Sequence, residues 1–231
     1  MREPLILLPG MMCDGRLFDD QIARFSSERM VSTGALVGSD SFEGLAEAIL
    51  ETAPQRFALA GLSMGGICAM EIVRQAPERV TRLALLDTNA LADPPHLAPV
   101  RQEQTRRALS GDLIPVMRDE MKPNYLANGP RKSAILDLCM DMATALGADV
   151  FASQSRAIAA RPDQRETLKR VSVPTLILCG RHDRLCPLER HTLMHELIPH
   201  ATLTVIEDAG HLPTLEQPNA TTEALAQWLN T

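Results

Sequence analysis

Phe57-Ala58-Leu59-Ala60-Gly61-Leu62-Ser63-Met64-Gly65-Gly66 joins an apolar run directly to a helical one through the pattern G-x-S-x-G. Phe57 to Ala60 reads as a buried strand, and Met64 to Gln75 is apolar almost all round, as a helix inside a core must be. Only one sharp turn fits between them. A serine held there in strained dihedral angles leaves no room for side chains beside it, which explains glycine at 61 and 65. Ser63 would then project its hydroxyl from the end of a strand, where a nucleophile is useful. A serine that merely caps a helix fits the same local pattern, so partners elsewhere must decide.

Around this turn, short apolar runs alternate with helical patterns, the signature of a parallel sheet covered on both faces. Strands are expected at Leu5 to Leu8, near Met30 to Leu36, Phe57 to Ala60, Leu83 to Leu86, Thr175 to Cys179 and Thr202 to Ile206. Phe18, Ile22 and Phe25 repeat at helical spacing, and Asp40-Ser41-Phe42-Glu43 reads as a capping box opening a helix through Leu45 and Ile49. A last helix around Ala220 to Leu229 places Leu225, Trp228 and Leu229 on one face. Residues 91–170 break the alternation: they carry no strand run, but helical stripes at Ile135, Leu138, Met142 and Leu146 and at Leu113, Ile114, Met117 and Met121. Such an insertion reads as a cap over the sheet edge where open α/β sheets bind ligands. The 231 residues make one α/β domain with that cap.

Composition removes several classes of function. Lys and Arg number 23 against 29 Asp and Glu, a formal charge of −6, and no dense basic run offers a face for nucleic acid. No stretch approaches the length of a membrane span. The apolar run at Leu5 to Leu8 is too short for a secretory signal. Five cysteines, without C-x-x-C spacing, fit neither a disulfide framework nor a zinc site. A reducing cytoplasm is the expected setting.

A nucleophilic serine needs an imidazole within reach, and the imidazole needs a carboxylate to fix its tautomer. His211, in Glu207-Asp208-Ala209-Gly210-His211-Leu212-Pro213, follows the final strand and lies at the same sheet edge as Ser63. Two aspartates compete for the third place. Asp183 follows Cys179-Gly180-Arg181-His182 and gives the chain order serine, acid, histidine; Asp87 ends the strand Leu83 to Leu86. Chain order and the Gly180 to Pro187 loop favour Asp183.

Leu7-Leu8-Pro9-Gly10, Gly61-Leu-Ser63-Met-Gly65-Gly66, Gly180-Arg-His-Asp183 with Pro187, and Gly210-His211 with Glu216-Gln217-Pro218 together resemble the α/β-hydrolase superfamily across nearly the whole chain. The nearest flavour is the small carboxylesterase, enol-lactonase and pimeloyl-ester hydrolase branch. The resemblance implies an α/β-hydrolase fold and cofactor-free, metal-free acyl transfer. Many relatives begin with two further strands, so a mostly parallel sheet of about six is expected here. Pro9-Gly10 stands where relatives often carry His-Gly. The oxyanion donors would be the backbone N–H groups of Met64 and Met11, with Met12 less favoured as the second. Ile67 replaces the arginine that menaquinone-forming relatives often carry.

Side chains in the cap bear on substrate. Met117, Met121, Met140 and Met142 would line an acyl pocket or fill the core. Arg107, Arg118 and Arg156 would meet a substrate carboxylate, against the simpler expectation of solvated charges. His191 and His195, spaced i,i+4, are expected as a rim-exposed pair rather than metal ligands, since no third ligand accompanies them. Glu216 is expected to brace the final loop, and Cys13 to pack. The function expected is hydrolysis of a small carboxylic ester, lactone or thioester, with a small-molecule acyl partner. The alternatives are carbon–carbon cleavage or elimination on the same fold, and a non-catalytic receptor for a small ligand.

Overall fold

A computed structural model describes residues 2–231. Strands β1 (Leu5–Leu8), β2 (Val31–Thr33), β3 (Phe57–Leu62), β4 (Val80–Leu86), β5 (Thr175–Gly180) and β6 (Thr202–Ile206) form one sheet in the order β2-β1-β3-β4-β5-β6. Every pairing is parallel, with Leu7 opposite Ala60, Ala60 opposite Ala84, and Leu85 opposite Ile177. The winding direction reverses between β1 and β3, so the loops leaving these two strands open a crevice at the carboxyl edge.

Period-two alternation sends the strand residues to two separate cores. Ile6, Leu8, Phe57, Leu59, Leu83, Leu85 and Ile177 pack beneath α2 (Phe42–Thr52) and α3 (Met64–Gln75). Leu5, Leu7, Ala58, Ala60, Leu62, Ala84 and Leu178 face α1 (Asp19–Phe25) and the last helix, Pro218–Leu229. Both faces are dry, hence the unbroken apolar runs in the central strands.

Between β4 and β5 the chain is helical, with α4 (Ala98–Arg107), short turns, and a long helix Lys132–Ala159 interrupted at Gly147, whose φ is 82°. Ala108, Leu113, Val116, Met117, Ala143 and Phe151 bury one another there. Met12, from the loop after β1, completes this third cluster. Burying a side chain the size of Phe151 contributes about 1.5–3 kcal/mol, so the helical segment is anchored to that loop.

Several elements differ from the sequence expectation. The second strand spans only Val31–Thr33 of the expected Met30 to Leu36, because Gly34 donates a final bond to Leu7 and the chain then leaves the edge. β3 runs through Gly61 to Leu62, since a residue without Cβ continues the strand beneath α3. β4 begins at Val80, with Thr81 and Arg82 bonded to the Glu3 carboxylate, so polar residues hid its start. Ser41 caps α2 alone: its Oγ accepts from Gly44 N–H at 3.2 Å, and the third helical position is that glycine, so no carboxylate answers it. Ile114 is exposed while Val116 is buried, because the segment breaks into short turns instead of one helix. Among the described residues no helix is long and apolar enough to cross a membrane.

A Cβ on Gly65 would lie 2.0 Å from the Leu8 carbonyl oxygen and 2.7 Å from that of Pro9, backbone atoms that cannot step aside. Gly65→Ala should therefore lower unfolding free energy by about 3 kcal/mol or more, whereas Gly129→Ala, with nothing within 4 Å, should change it by no more than about 0.5 kcal/mol. Urea denaturation of both variants checks the contrast.

Candidate active site

Ser63 sits at the junction of β3 and α3 with φ 55° and ψ −115°. Its N–H donates to the Leu86 carbonyl at 2.9 Å, and its own carbonyl accepts from Gly66, Ile67 and the Thr88 hydroxyl. The backbone is thus held from both sides, and the Oγ is left for other work. It lies 2.9 Å from Nε2 of His211, whose Nδ1 is 2.8 Å from Oδ2 of Asp183. A carboxylate only accepts, so Nδ1 carries the proton and Nε2 accepts from the serine hydroxyl. The other Asp183 oxygen takes the N–H groups of Leu185 (2.8 Å) and Cys186 (3.0 Å). Burial opposes the charged form of Asp183, but His211 and these two donors outweigh it and hold the carboxyl below its usual range.

Asp87 is the aspartate not bonded to the imidazole. It is fully buried, adopts φ 43°, and accepts Gly180 N–H at 2.8 Å through Oδ1. Its Oδ2 has no donor among the described residues. Burial, then the charge of Asp183 beside it, push this carboxyl well above the ordinary range. A neutral acid there becomes a donor, and the Asp183 carboxylate is the acceptor it faces.

The loop carrying His211 is braced by Glu216, which accepts Gly210 N–H (2.9 Å) and Leu212 N–H (3.0 Å) on one oxygen and Ala127 N–H (2.8 Å) on the other. His211 N–H donates to the Tyr125 carbonyl at 2.6 Å. The helical segment therefore helps to place the imidazole. In the loop after β1, Met12 N–H is spent on Gln154 Oε1 at 2.8 Å, while the N–H groups of Met11 and Met64 have no acceptor among the described residues. Met11, Met64, Ser63 and His211 all line one cavity of about 320 Å³. Nothing in the sequence marked Gln154, a polar residue inside a helix whose role depends on the tertiary fold.

His191 departs from expectation. It is not at the rim but fully buried, with Nε2 accepting Thr88 N–H at 3.2 Å and Nδ1 turned to the Pro187 carbonyl. Burial lowers its pKa to about 4, so it is a neutral bridge between the loops after β4 and β5. Among the four cap methionines only Met121 lines the cavity; Met117 is buried and Met142 accepts Asp14 N–H. Arg107 pairs with Glu120, Arg118 with Asp119 and Arg156 with Asp40, all away from the cavity lining. The arginines that line it are Arg101, Arg161 and Arg190. Cys13 is buried, and burial pushes its thiol up, as expected of a packing residue. The one set of possible metal ligands among the described residues, Asp183, Cys186 and His211, shares its histidine and aspartate with the relay above.

The profile of the Alpha/beta hydrolase family matches residues 5–224. A pimeloyl-[acyl-carrier protein] methyl ester esterase from Aliivibrio salmonicida is 25% identical over 90% of this chain and 85% of its own. A thermophilic esterase from Thermogutta terrifontis superimposes with a TM-score of 0.90 and 27% identity, covering 99% of this chain and 89% of that one. An enol-lactonase from Burkholderia xenovorans gives 0.88 over 100% and 92% of the two chains, a likeness of fold at 22% identity.

Asp87 generates a prediction with a defined sign. Its folded-state pKa is raised from an ordinary value near 3.8, so the folded chain binds an extra proton and stability falls as pH rises above about 4 through the folded pKa. Asp87→Asn cannot ionise and keeps an acceptor for Gly180 and a donor for Asp183. Thermal denaturation should find it at least as stable as wild type, with a gap that widens from pH 5 to pH 8; a less stable variant with no pH dependence contradicts this.

Proposed function

Because the chain belongs to the alpha/beta hydrolase family, we propose that it is a serine hydrolase cleaving a small carboxylic ester, lactone or thioester through an acyl-enzyme on Ser63. The observation that carries this is the unbroken relay from Ser63 Oγ to His211 to Asp183, at 2.9 and 2.8 Å. Esterase relatives that align with most of the chain supply the reaction class.

His211 Nε2 takes the hydroxyl proton as Oγ attacks the carbonyl carbon, and the resulting imidazolium is stabilised by Asp183 across Nδ1–H. The carbonyl oxygen, now negative, settles on the free N–H groups of Met11 and Met64. One such donor is worth about 2.7–4 kcal/mol in the transition state. Nε2–H then protonates the leaving alcohol or thiol, and water repeats the cycle on the acyl-enzyme. Met12 is the poorer donor because its N–H already belongs to Gln154. Residues 91–170 act as a cap within a single domain: Tyr125, Met121, Leu97 and Ile158 come from this segment and form part of the cavity wall.

Hydrolysis of p-nitrophenyl butyrate and a five-membered lactone tests the assignment. Ser63→Ala and His211→Ala should each lose about a thousandfold or more in kcat, and Asp183→Asn should fall comparably with its fold retained. Ordinary turnover by Ser63→Ala overturns the assignment.

A further inference from the structure

Three arginines but a single aspartate line the cavity that holds Ser63. Asp93 is almost fully buried, and both of its oxygens are taken. Arg101 reaches Oδ2 through Nε at 2.6 Å and Oδ1 through Nη2 at 3.0 Å, and Arg161 reaches Oδ1 through Nη1 at 2.8 Å. Arg161, itself only 8% exposed, is fixed further by Nε donating to the Leu91 carbonyl at 2.9 Å. One buried carboxylate thus serves two guanidinium groups. Among the described residues, Nη1 of Arg101 and Nη2 of Arg161 have no acceptor, and the Arg190 side chain has no partner at all.

A structural ion pair would need one arginine for Asp93. The second leaves the group with one positive charge in excess at a desolvated wall, where burial disfavours the charge of Arg161, Asp93 supports it and the neighbouring Arg101 opposes it. Arg190 adds a third cation, although the chain as a whole is negative at −6. Guanidinium groups stay charged at neutral pH and present forked donors that match a carboxylate. Apart from the catalytic-edge residues, Thr88, Asn89 and Tyr125, the rest of the wall is apolar, including Ile67, Leu97, Ile158 and Leu185.

From this arrangement we infer that the cavity selects an ester or lactone carrying a free carboxylate, which Arg190, with the spare donors of Arg101 and Arg161, receives while Ser63 attacks the carbonyl. The inference rests on the ester-hydrolase reading for its chemistry, but not for its binding. The carboxylate completes the charge balance that Asp93 leaves unfinished. An uncharged ester of equal length would fill the apolar wall and leave those donors without a partner, a penalty for binding. Arg190 is a specificity-determining residue, and Asp93 is a positioning residue that acts through Arg101 and Arg161.

Two measurements separate this inference from the underlying reading. In the first, wild-type protein hydrolyses monomethyl glutarate, carboxymethyl butanoate and methyl pentanoate. A kcat/KM at least about tenfold higher for either charged ester is expected, and whichever ester wins tells whether the carboxylate belongs to the acyl or the alcohol half. Arg190→Gln should cut that preference about tenfold or more, Arg190→Lys should keep part of it, and Arg118→Gln, on the surface, should leave it intact. Equal rates on all three esters, or an equal fall on charged and neutral esters in Arg190→Gln, overturns the inference while the hydrolase reading stands. In the second, calorimetric titration of glutarate into wild-type protein and Arg190→Gln needs no turnover. Glutarate should bind wild type, more weakly at high salt and more weakly still to Arg190→Gln, with uncharged pentanamide binding wild type more weakly than glutarate. Absence of glutarate binding, or binding indifferent to Arg190, counts against the anion site even if every ester is cleaved.

Discussion

At Ser63 the backbone turns through positive φ in the space of one residue, and everything at the carboxyl edge of the sheet is arranged to let it do so. Gly61 lies under the Gly65 carbonyl, where a Cβ would come within 2.2 Å, and Gly65 lies over the Leu8 carbonyl at 2.0 Å from its own missing Cβ. β1, β3 and α3 are therefore stacked at backbone contact. That stacking fixes the loop after β1 and the start of α3 relative to each other, which in turn sets the Met11 and Met64 N–H groups along one wall. The strain at residue 63 is stored by a surround that cannot relax.

The electrostatics of the same edge follow from burial. Two aspartates from neighbouring strands, Asp87 and Asp183, approach each other out of water, and both cannot carry charge comfortably. The imidazole and two backbone donors favour the charged form of Asp183, while burial and the Asp183 charge push the Asp87 carboxyl well above its ordinary range. The Asp183 carboxylate accepts the hydrogen bond from Nδ1–H of His211 and leaves Nε2 facing the Ser63 hydroxyl. His191 and Glu216 extend the bracing outward, one joining the loops after β4 and β5, the other tying the His211 loop to Ala127.

Much of this was legible before any coordinates. The strand-to-helix turn is encoded within ten consecutive residues, and the aspartate and histidine each follow a strand run at the same edge, so local pattern and chain order suffice. Chain order also favours Asp183 over Asp87, and the hydrogen bonds place Asp183 on the imidazole. The cavity wall was not legible, because its arginines are brought together by α4, the end of the long helix and the helix Leu188–Leu197 after β5, three elements far apart in the chain. Arg107 on α4, Arg118 in the short turns and Arg156 on the long helix pair with surface carboxylates, whereas Arg101 on α4 and Arg161 just past the long helix turn inward to Asp93. No helical stripe in so polar a segment distinguishes the two sets. His191 was misread for a related reason: its helix has a weakly amphipathic sequence, so burial there depends on the neighbouring loops.

The central claim is that the hydroxyl of Ser63 is made nucleophilic by an imidazole held in one tautomer. Treating the protein with a fluorophosphonate and mapping the tryptic digest tests it most directly, since cleavage after Arg56 and Arg74 isolates Phe57 to Arg74, a peptide with a single serine. The adduct should fall on that peptide, at Ser63, at a rate that collapses in His211→Ala. An unlabelled peptide, or an adduct on Ser63 formed equally fast without His211, contradicts the account.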